Sequence, residues 1–519
     1  MLWTSRIVIA LSVFSITKID SARILAFFPT PSISHQVVFR HVTKELARRG
    51  HEVTVITTDP LPKEEVPANL TEIDVHDVSY KHWEELFLVH TGKRKDVNQQ
   101  INILFEKIAT TIKIQMDTPA VQKALSNKHK KYFDLLLLES LYRPLLGIGY
   151  MFDAPIVQIS SLGGIPHQYN VFGAPGHPLL YPTSIRQRSY NLSLWEKAVE
   201  FFRYLALEYK LSSMLDFDYQ IMKICFGYDN PNIDDVSKKI QLLLLNEHPI
   251  WASNRPIAPN IIFIGGIHQT DENALPNDLK SYLDSSKHGV IYVSFGTNVL
   301  PSLLPPEKIQ IMTKVFSQLP YDILWKWDKE VLPGKSNNTK IGRWFPQSDL
   351  LKHPNVKLFI TQGGLQSTDE TINAAVPVIG IPMLGDQWYN VENYVHHKIG
   401  LQLDITTLTE KDFLDAVLTV VSGKSFKNNI IRLRSLMREF PIKPLDRAVW
   451  LMEHIIQYGG DHLQSPARGL SFAEYYEINL LLAFSLILFI ISVITFYVLK
   501  FTLNFAYNVY VSHSKLKSL

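Results

Sequence analysis

Twice along this chain, an apolar run rich in branched residues leads into a helical pattern and then into another apolar run. That alternation constrains the fold more than any other feature. The first series opens with Arg23–Phe28 (RILAFF), which enters a Pro-rich loop, PTPSIS. A helical pattern follows from about His35 to Arg49 and stops at Gly50. His51–Thr57 reads as the next strand, with Tyr132–Leu138 and Ala154–Ser160 further on. A second series restarts near Asn260, with strands at Gly289–Phe295, Asp322–Trp327, Val356–Ile360 and Pro377–Ile381. Strand, helix and strand on short links build parallel sheets covered by helices, so an α/β protein of two facing Rossmann-like domains is expected. Prolines and polar residues cluster at residues 246–260. They put the junction there, with an N-terminal domain over residues 23–250 and a C-terminal domain over residues 251–440.

Both ends of the chain carry membrane signals. Residues 1–22 hold Arg6, an apolar stretch and a small-residue site ending at Ala22, the pattern of a signal peptide. Residues 478–499 contain no charge and are long enough to cross a hydrocarbon core of roughly 30 Å as one helix. Glu474 and Glu477 precede that run; Lys500, Lys515 and Lys517 follow it. The positive flank stays cytosolic, so a type I membrane protein with residues 500–519 as its tail is expected. The lysines near the C-terminus resemble a dilysine signal for return to the endoplasmic reticulum. Asn69, Asn191 and Asn337 begin N-glycosylation tripeptides, which agrees with a luminal body, although such tripeptides are common. Residues 441–477 would link the body to the membrane.

Composition excludes several functions. A net charge of +3 over 519 residues argues against nucleic-acid binding. The single Cys225 can form neither an internal disulfide nor a multi-cysteine zinc site. No GxGxxG stands between a strand and a helix, and a P-loop is absent. Asp216-Phe217-Asp218 lies in a helical stretch, where positions i and i+2 point apart and would not chelate one ion.

A doubly wound sheet binds ligands beyond the carboxyl ends of its strands. In the second series those ends hold Phe295-Gly296-Thr297 and Gln362-Gly363-Gly364, the latter just before a helical pattern. A glycine pair at a helix start suits a phosphate, with Ser367 and Glu370 on one face of the first turns for phosphate and ribose. Taken alone, a Gly-Gly before a helix is more often plain turn chemistry.

The stretch Trp344–Gln387 resembles the donor-binding signature of the UDP-glycosyltransferases, the membrane-bound glucuronosyl and glucosyl transferases of animals and their soluble plant relatives. Trp344, Pro346, Gln347, His353-Pro354, Gly364, Ser367, Glu370, Pro377, Pro382 and Asp386-Gln387 carry the resemblance. The signal peptide, the Pro-Ser-x-Ser-His loop, Lys443–Ala448 and the C-terminal anchor extend it over essentially the whole chain. It implies a GT-B fold and an inverting UDP-hexosyltransferase needing no metal or other cofactor. The resemblance implies that Trp344 stacks on uracil and that Gln347 and Glu370 hold the ribose. Thr297, Gly364, Gln366 and Ser367 would cradle the diphosphate, and Asp386 and Gln387 would take the sugar hydroxyls. Gln362 departs from the His usual at its position; an amide still donates but cannot become cationic, and invertebrate members look similar there.

By the same resemblance, His35 is the general base. Glu139 follows the strand FDLLLL where vertebrate members carry Asp, and it would support the charge on His35. The implied partners are a UDP-sugar, with glucose favoured over glucuronate, and a small lipophilic acceptor. Self-association is left open. Tyr142, Phe152, Tyr169, Phe172, Tyr181, Trp195, Phe201, Phe202 and Tyr204 suit either an acceptor pocket or ordinary core packing.

Overall fold

The two apolar series form two parallel sheets. A computed structural model describes residues 21–90, 97–127, 129–174, 176–227, 233–269, 273–438 and 441–516. The expected leader lies outside these residues except for its last two positions, and Lys517 also lies outside them. In the first sheet, β1 (Arg23–Phe28), β2 (Glu52–Thr57), β3 (Leu70–Asp74), β4 (Leu135–Glu139), β5 (Ile156–Ser160), β6 (Ile240–Leu245) and β7 (Ile261–Phe263) lie in the order β3-β2-β1-β4-β5-β6-β7. In the second, β8 (Val290–Ser294), β9 (Asp322–Lys326), β10 (Thr339–Gly342), β11 (Val356–Thr361), β12 (Val378–Gly380) and β13 (Gly400–Gln402) lie in the order β10-β9-β8-β11-β12-β13. Neighbours are parallel throughout, as crossover helices require.

The central strands are apolar on both faces because helices cover both. Leu25 and Phe27 of β1 join Leu136 and Leu138 of β4 in one core. Ile24, Ala26 and Phe28 join Leu135 and Leu137 in the other. That alternation of period 2 assigns each side chain to a layer.

Five helices position the site and the membrane segment: α1 (Ile33–Arg48), α2 (Leu194–Ser213), α3 (Leu365–Ala374), α4 (Pro444–Tyr458) and α5 (Ile478–Leu516). Although α4 follows the second sheet in sequence, it returns to the first. Its Ala448, Val449, Met452 and Ile455 pack in one cluster with Val38, Phe39, Val42 and Leu46 of α1. Glu453 adds an ion pair to Arg49 (3.0 Å) and accepts a hydrogen bond from His51 Nε2 (3.4 Å).

Several boundaries differ from the sequence reading. β7 pairs with β6, so the first sheet extends to Phe263 and the junction falls beyond residue 250; Ile261-Ile262-Phe263 is too short to stand out beside the prolines preceding it. Trp251, within the expected junction, is buried and donates from Nε1 to Asn390 Oδ1 of the second domain (2.9 Å). α5 continues past Leu499 to Leu516, since residues 501–510 stay largely apolar and contain neither Pro nor Gly. By length and composition α5 can cross a membrane. Asp216 and Asp218 diverge as expected: Asp216 is exposed, whereas Asp218 is buried and ion-paired to Arg143 at 2.7 Å.

Candidate active site

The two domains touch along the carboxyl ends of their strands. Ser32 meets Asn298 at 3.3 Å, and Gln366 Nε2 donates to the Ser161 carbonyl (3.1 Å). Between them lies a cavity of about 320 Å³ lined by His35, Val37 and Leu162 on one side. Thr297, Trp344, Gln347, Gln362, Gly364, Gln366, Ser367, Glu370, Asp386 and Gln387 line it on the other. The structure therefore gathers the sequence-predicted donor residues and His35 around one space.

His35 stands in the first turn of α1, and Glu139 ends β4. Because β1 and β4 are parallel neighbours, their carboxyl ends bring the two side chains together: His35 Nδ1 lies 3.0 Å from Glu139 Oε1. Glu139 is 1% exposed, and Thr30 donates to both its oxygens, from Oγ1 (2.7 Å) and from the backbone N–H (3.3 Å). A carboxylate receiving those bonds is an acceptor toward Nδ1 as well. Nδ1 therefore carries the ring hydrogen, and Nε2 keeps a lone pair for the cleft.

On the donor side, α3 begins at Gly364, and its first N–H groups have no partner within the helix. Gly363 takes φ +89°, and a Cβ there would collide with Val391, so only glycine fits. Gly296 has φ +76°, and a Cβ there would strike the Gln362 amide. Gln362 is buried, and its Oε1 has no hydrogen-bond partner among the described residues. Gln347 Nε2 donates to Glu370 Oε2 (2.6 Å) and Ser367 Oγ (2.8 Å), while Tyr292 OH donates to Gln347 Oε1 (3.1 Å). Burial pushes the Glu370 carboxyl up to about 7, opposed by the bond from Gln347.

Asp386 and Gln387 start a helix at the far wall. Gln387 Oε1 accepts from the backbone N–H groups of Met383 and Leu384 (2.8 Å each), so only its amide N–H₂ is left for a ligand. Burial pushes the Asp386 carboxyl up to about 6; the bond from Asn390 and the positive charge available to His35 oppose the rise. Among the described residues, no group of three or more His, Cys, Asp or Glu is placed to hold a metal.

Sequence reasoning missed Lys326, the last residue of β9. Its ammonium lies 4.4 Å from the ring centroid of the largely exposed Trp344 and donates to the Gly296 carbonyl (3.0 Å). Burial lowers it to about 8. Its position at a strand end was the available signal. Thr30 and Asn298 were also missed. The aromatic set divides: Tyr142, Phe152, Tyr169 and Phe172 are buried core, while Trp195, Phe201 and Phe202 face outward from α2 and line no part of the cleft. Asn69, Asn191 and Asn337 are all exposed.

Two parallel sheets facing each other across a ligand cleft define a GT-B glycosyltransferase architecture. The glycosyltransferase of kitacinnamycin is similar at TM-score 0.57 and 18% identity, covering 84% of this chain and 99% of that one. CalG4, the calicheamicin glycosyltransferase, is similar at TM-score 0.54 and 16% identity, covering 85% and 99%. These likenesses concern the fold. The family described as UDP-glucoronosyl and UDP-glucosyl transferase matches residues 23–516, and the chain belongs to that family. It is a glycosyltransferase. An ecdysteroid UDP-glucosyltransferase of Spodoptera littoralis nuclear polyhedrosis virus is 34% identical over 505 residues, 93% of this chain and 98% of the relative. UDP-glucosyltransferase 2 of Dactylopius coccus is 30% identical over 497 residues, 93% and 95%.

Proposed function

We propose that this enzyme moves glucose from UDP-glucose to a hydroxyl of a small lipophilic acceptor, with inversion at the anomeric carbon. The carrying observation is that His35, paired with the buried Glu139, opens onto the same cavity as the residues of the donor signature. His35 Nε2 takes the acceptor proton as the oxygen attacks the anomeric carbon from the face opposite the phosphate. The bond from that carbon to the β-phosphate oxygen breaks, and UDP leaves with its electron pair. The free N–H groups at the start of α3 favour the charge that develops on the leaving group. Glu139 stabilises the imidazolium.

The relatives named UDP-glucosyltransferases support glucose as the donor sugar, and the viral relatives named for ecdysteroids support a steroid-like alcohol as one acceptor class. No metal is invoked. In this reading α5 anchors the enzyme in the endoplasmic reticulum membrane with its body in the lumen. The test is His35→Ala, with turnover of UDP-glucose and a phenol or sterol acceptor measured beside UDP binding. General-base catalysis is worth about 10²–10⁴-fold. A loss of that order with UDP binding intact is expected; activity within tenfold of wild type would remove His35 from the role.

A further inference from the structure

We propose that Asn390 is a positioning residue: anchored from the domain junction by Trp251, its amide keeps the Asp386 carboxylate ionised and in one orientation for the donor sugar. This rests on the reading that Asp386 takes a sugar hydroxyl. Asn390 stands one turn after Asp386 on the helix Gln387–His396, so the two side chains share a face. It is 1% exposed, and both polar atoms of its side chain are engaged. Nδ2 donates to the Gly363 carbonyl (2.9 Å) and to Asp386 Oδ2 (2.7 Å), while Oδ1 accepts from Trp251 Nε1 (2.9 Å).

The partners fix which way round the amide sits. An indole N–H only donates and a carbonyl only accepts, so Oδ1 must face Trp251 and the N–H₂ must face Gly363. The second amide hydrogen then points at Asp386. A donor aimed at a carboxylate favours its charged form. Turning the amide would break all of these bonds at once, so Asp386 meets a donor pointing in a single direction.

The anchor is itself held. Trp251 is 1% exposed, its carbonyl accepts from Tyr389 OH, and its indole stacks on His397 at 5.6 Å between ring centroids. The loop before α2 grips the same helix further along. The Ser189 N–H and Arg188 (3.2 Å) reach Glu392, and Tyr190 OH donates to Asn393 Oδ1 (2.6 Å). The helix that presents Asp386 is thus tied to the domain that carries His35. The titratable groups facing Asp386 are His35 from α1, Glu247 beyond β6 and Tyr394 on its own helix. The backbone N–H groups of Leu365 and of Asp386 itself also favour the carboxylate. Burial outweighs these and raises the carboxyl to about 6, with the Asn390 bond as the largest opposing effect. Loss of that bond therefore moves the carboxyl further upward.

The test is calorimetric binding of UDP-glucose and of UDP to the full chain, without acceptor, across pH 5.5 to 8. UDP checks folding and isolates the part of the affinity that comes from the sugar. In the wild type that part should fade as pH falls through about 6. In Asn390→Ala the fade should begin at higher pH, and UDP-glucose affinity near pH 6.5 should drop about tenfold while UDP changes by less than about threefold. Trp251→Phe removes the bond that fixes Oδ1 and serves should Asn390→Ala not fold; it should move the fade the same way by a smaller step. A folded variant with the wild-type pH dependence refutes positioning. A loss shared equally by UDP and UDP-glucose would mean that Asn390 only braces the Gly363 turn, and also refutes it. Asp386→Asn separates the two readings. If it binds UDP-glucose as the wild type does, the sugar contact falls and the proposal with it. If it loses the sugar's contribution while Asn390→Ala and Trp251→Phe keep theirs, the sugar contact stands and positioning alone is overturned.

Discussion

Replacing Glu139 by Gln changes one atom and removes one charge. The carboxylate lies 3.0 Å from His35 Nδ1 and is 1% exposed, so little solvent screens it. At an effective dielectric near 20, two unit charges 4 Å apart interact by about 4 kcal/mol. Part of that is already countered by the two bonds from Thr30. Each loss of about 1.4 kcal/mol of transition-state support costs about tenfold in rate. The imidazolium formed during transfer should lose that support, and kcat should fall about 10- to 10³-fold. The amide also meets a directional conflict: with its oxygen toward Nδ1, its N–H₂ faces the Thr30 N–H, and reversed, it faces Nδ1–H. Steady-state UDP release, with UDP binding by calorimetry, reads both effects. The KM for UDP-sugar should hold, and Glu139→Asp should retain more activity than Glu139→Gln. A folded Gln variant with kcat within threefold of wild type would refute the reasoning.

Other consequences follow from the donor side and the domain junction. Lys326, lowered to about 8 by burial, is a cation below that pH and neutral above it. UDP affinity should therefore weaken as pH rises through about 8, and calorimetry on Lys326→Met should show weaker binding without that step. Gly296→Ala sets a Cβ against the Gln362 amide at positive φ. It should raise the KM for UDP-sugar, and Gln362→Ala in the same chain should recover part of the loss. Burial raises Glu247 to about 8, opposed by Arg255. A carboxyl raised in the folded state binds more protons than in the unfolded state, so its contribution to stability falls between about pH 4.5 and 8. Glu247→Gln should thus gain melting temperature over wild type at pH 8.5 and much less at pH 5; equal gains at both would contradict the assignment.

The apolar runs of β1, β2, β8, β9 and β11 were legible because each is bounded by turn residues, and β1, β8 and β11 also lead on to helices. β3 (LTEID) and β10 (TKIG) were not, since edge strands carry polar side chains that break the pattern. β6 (IQLLLL) was missed for the opposite reason: a continuous apolar run has no periodicity to separate a buried strand from a helix. The donor-side residues were legible through one contiguous motif. Thr30 and Lys326 were not, because each gains its place from a neighbour distant in sequence, Glu139 and Trp344 respectively. The aromatics of α2 were read as pocket or core, whereas an exposed face looks in sequence like a buried one. Only packing shows which side is turned outward.

The central claim is direct displacement across the cleft, with His35 and the leaving phosphate on opposite faces of the sugar. Proton NMR of the first product formed from UDP-glucose and a simple phenol reads it most directly. The account predicts the large anomeric coupling of a β-glucoside, present from the earliest time point. An α-glucoside as the initial product would contradict it.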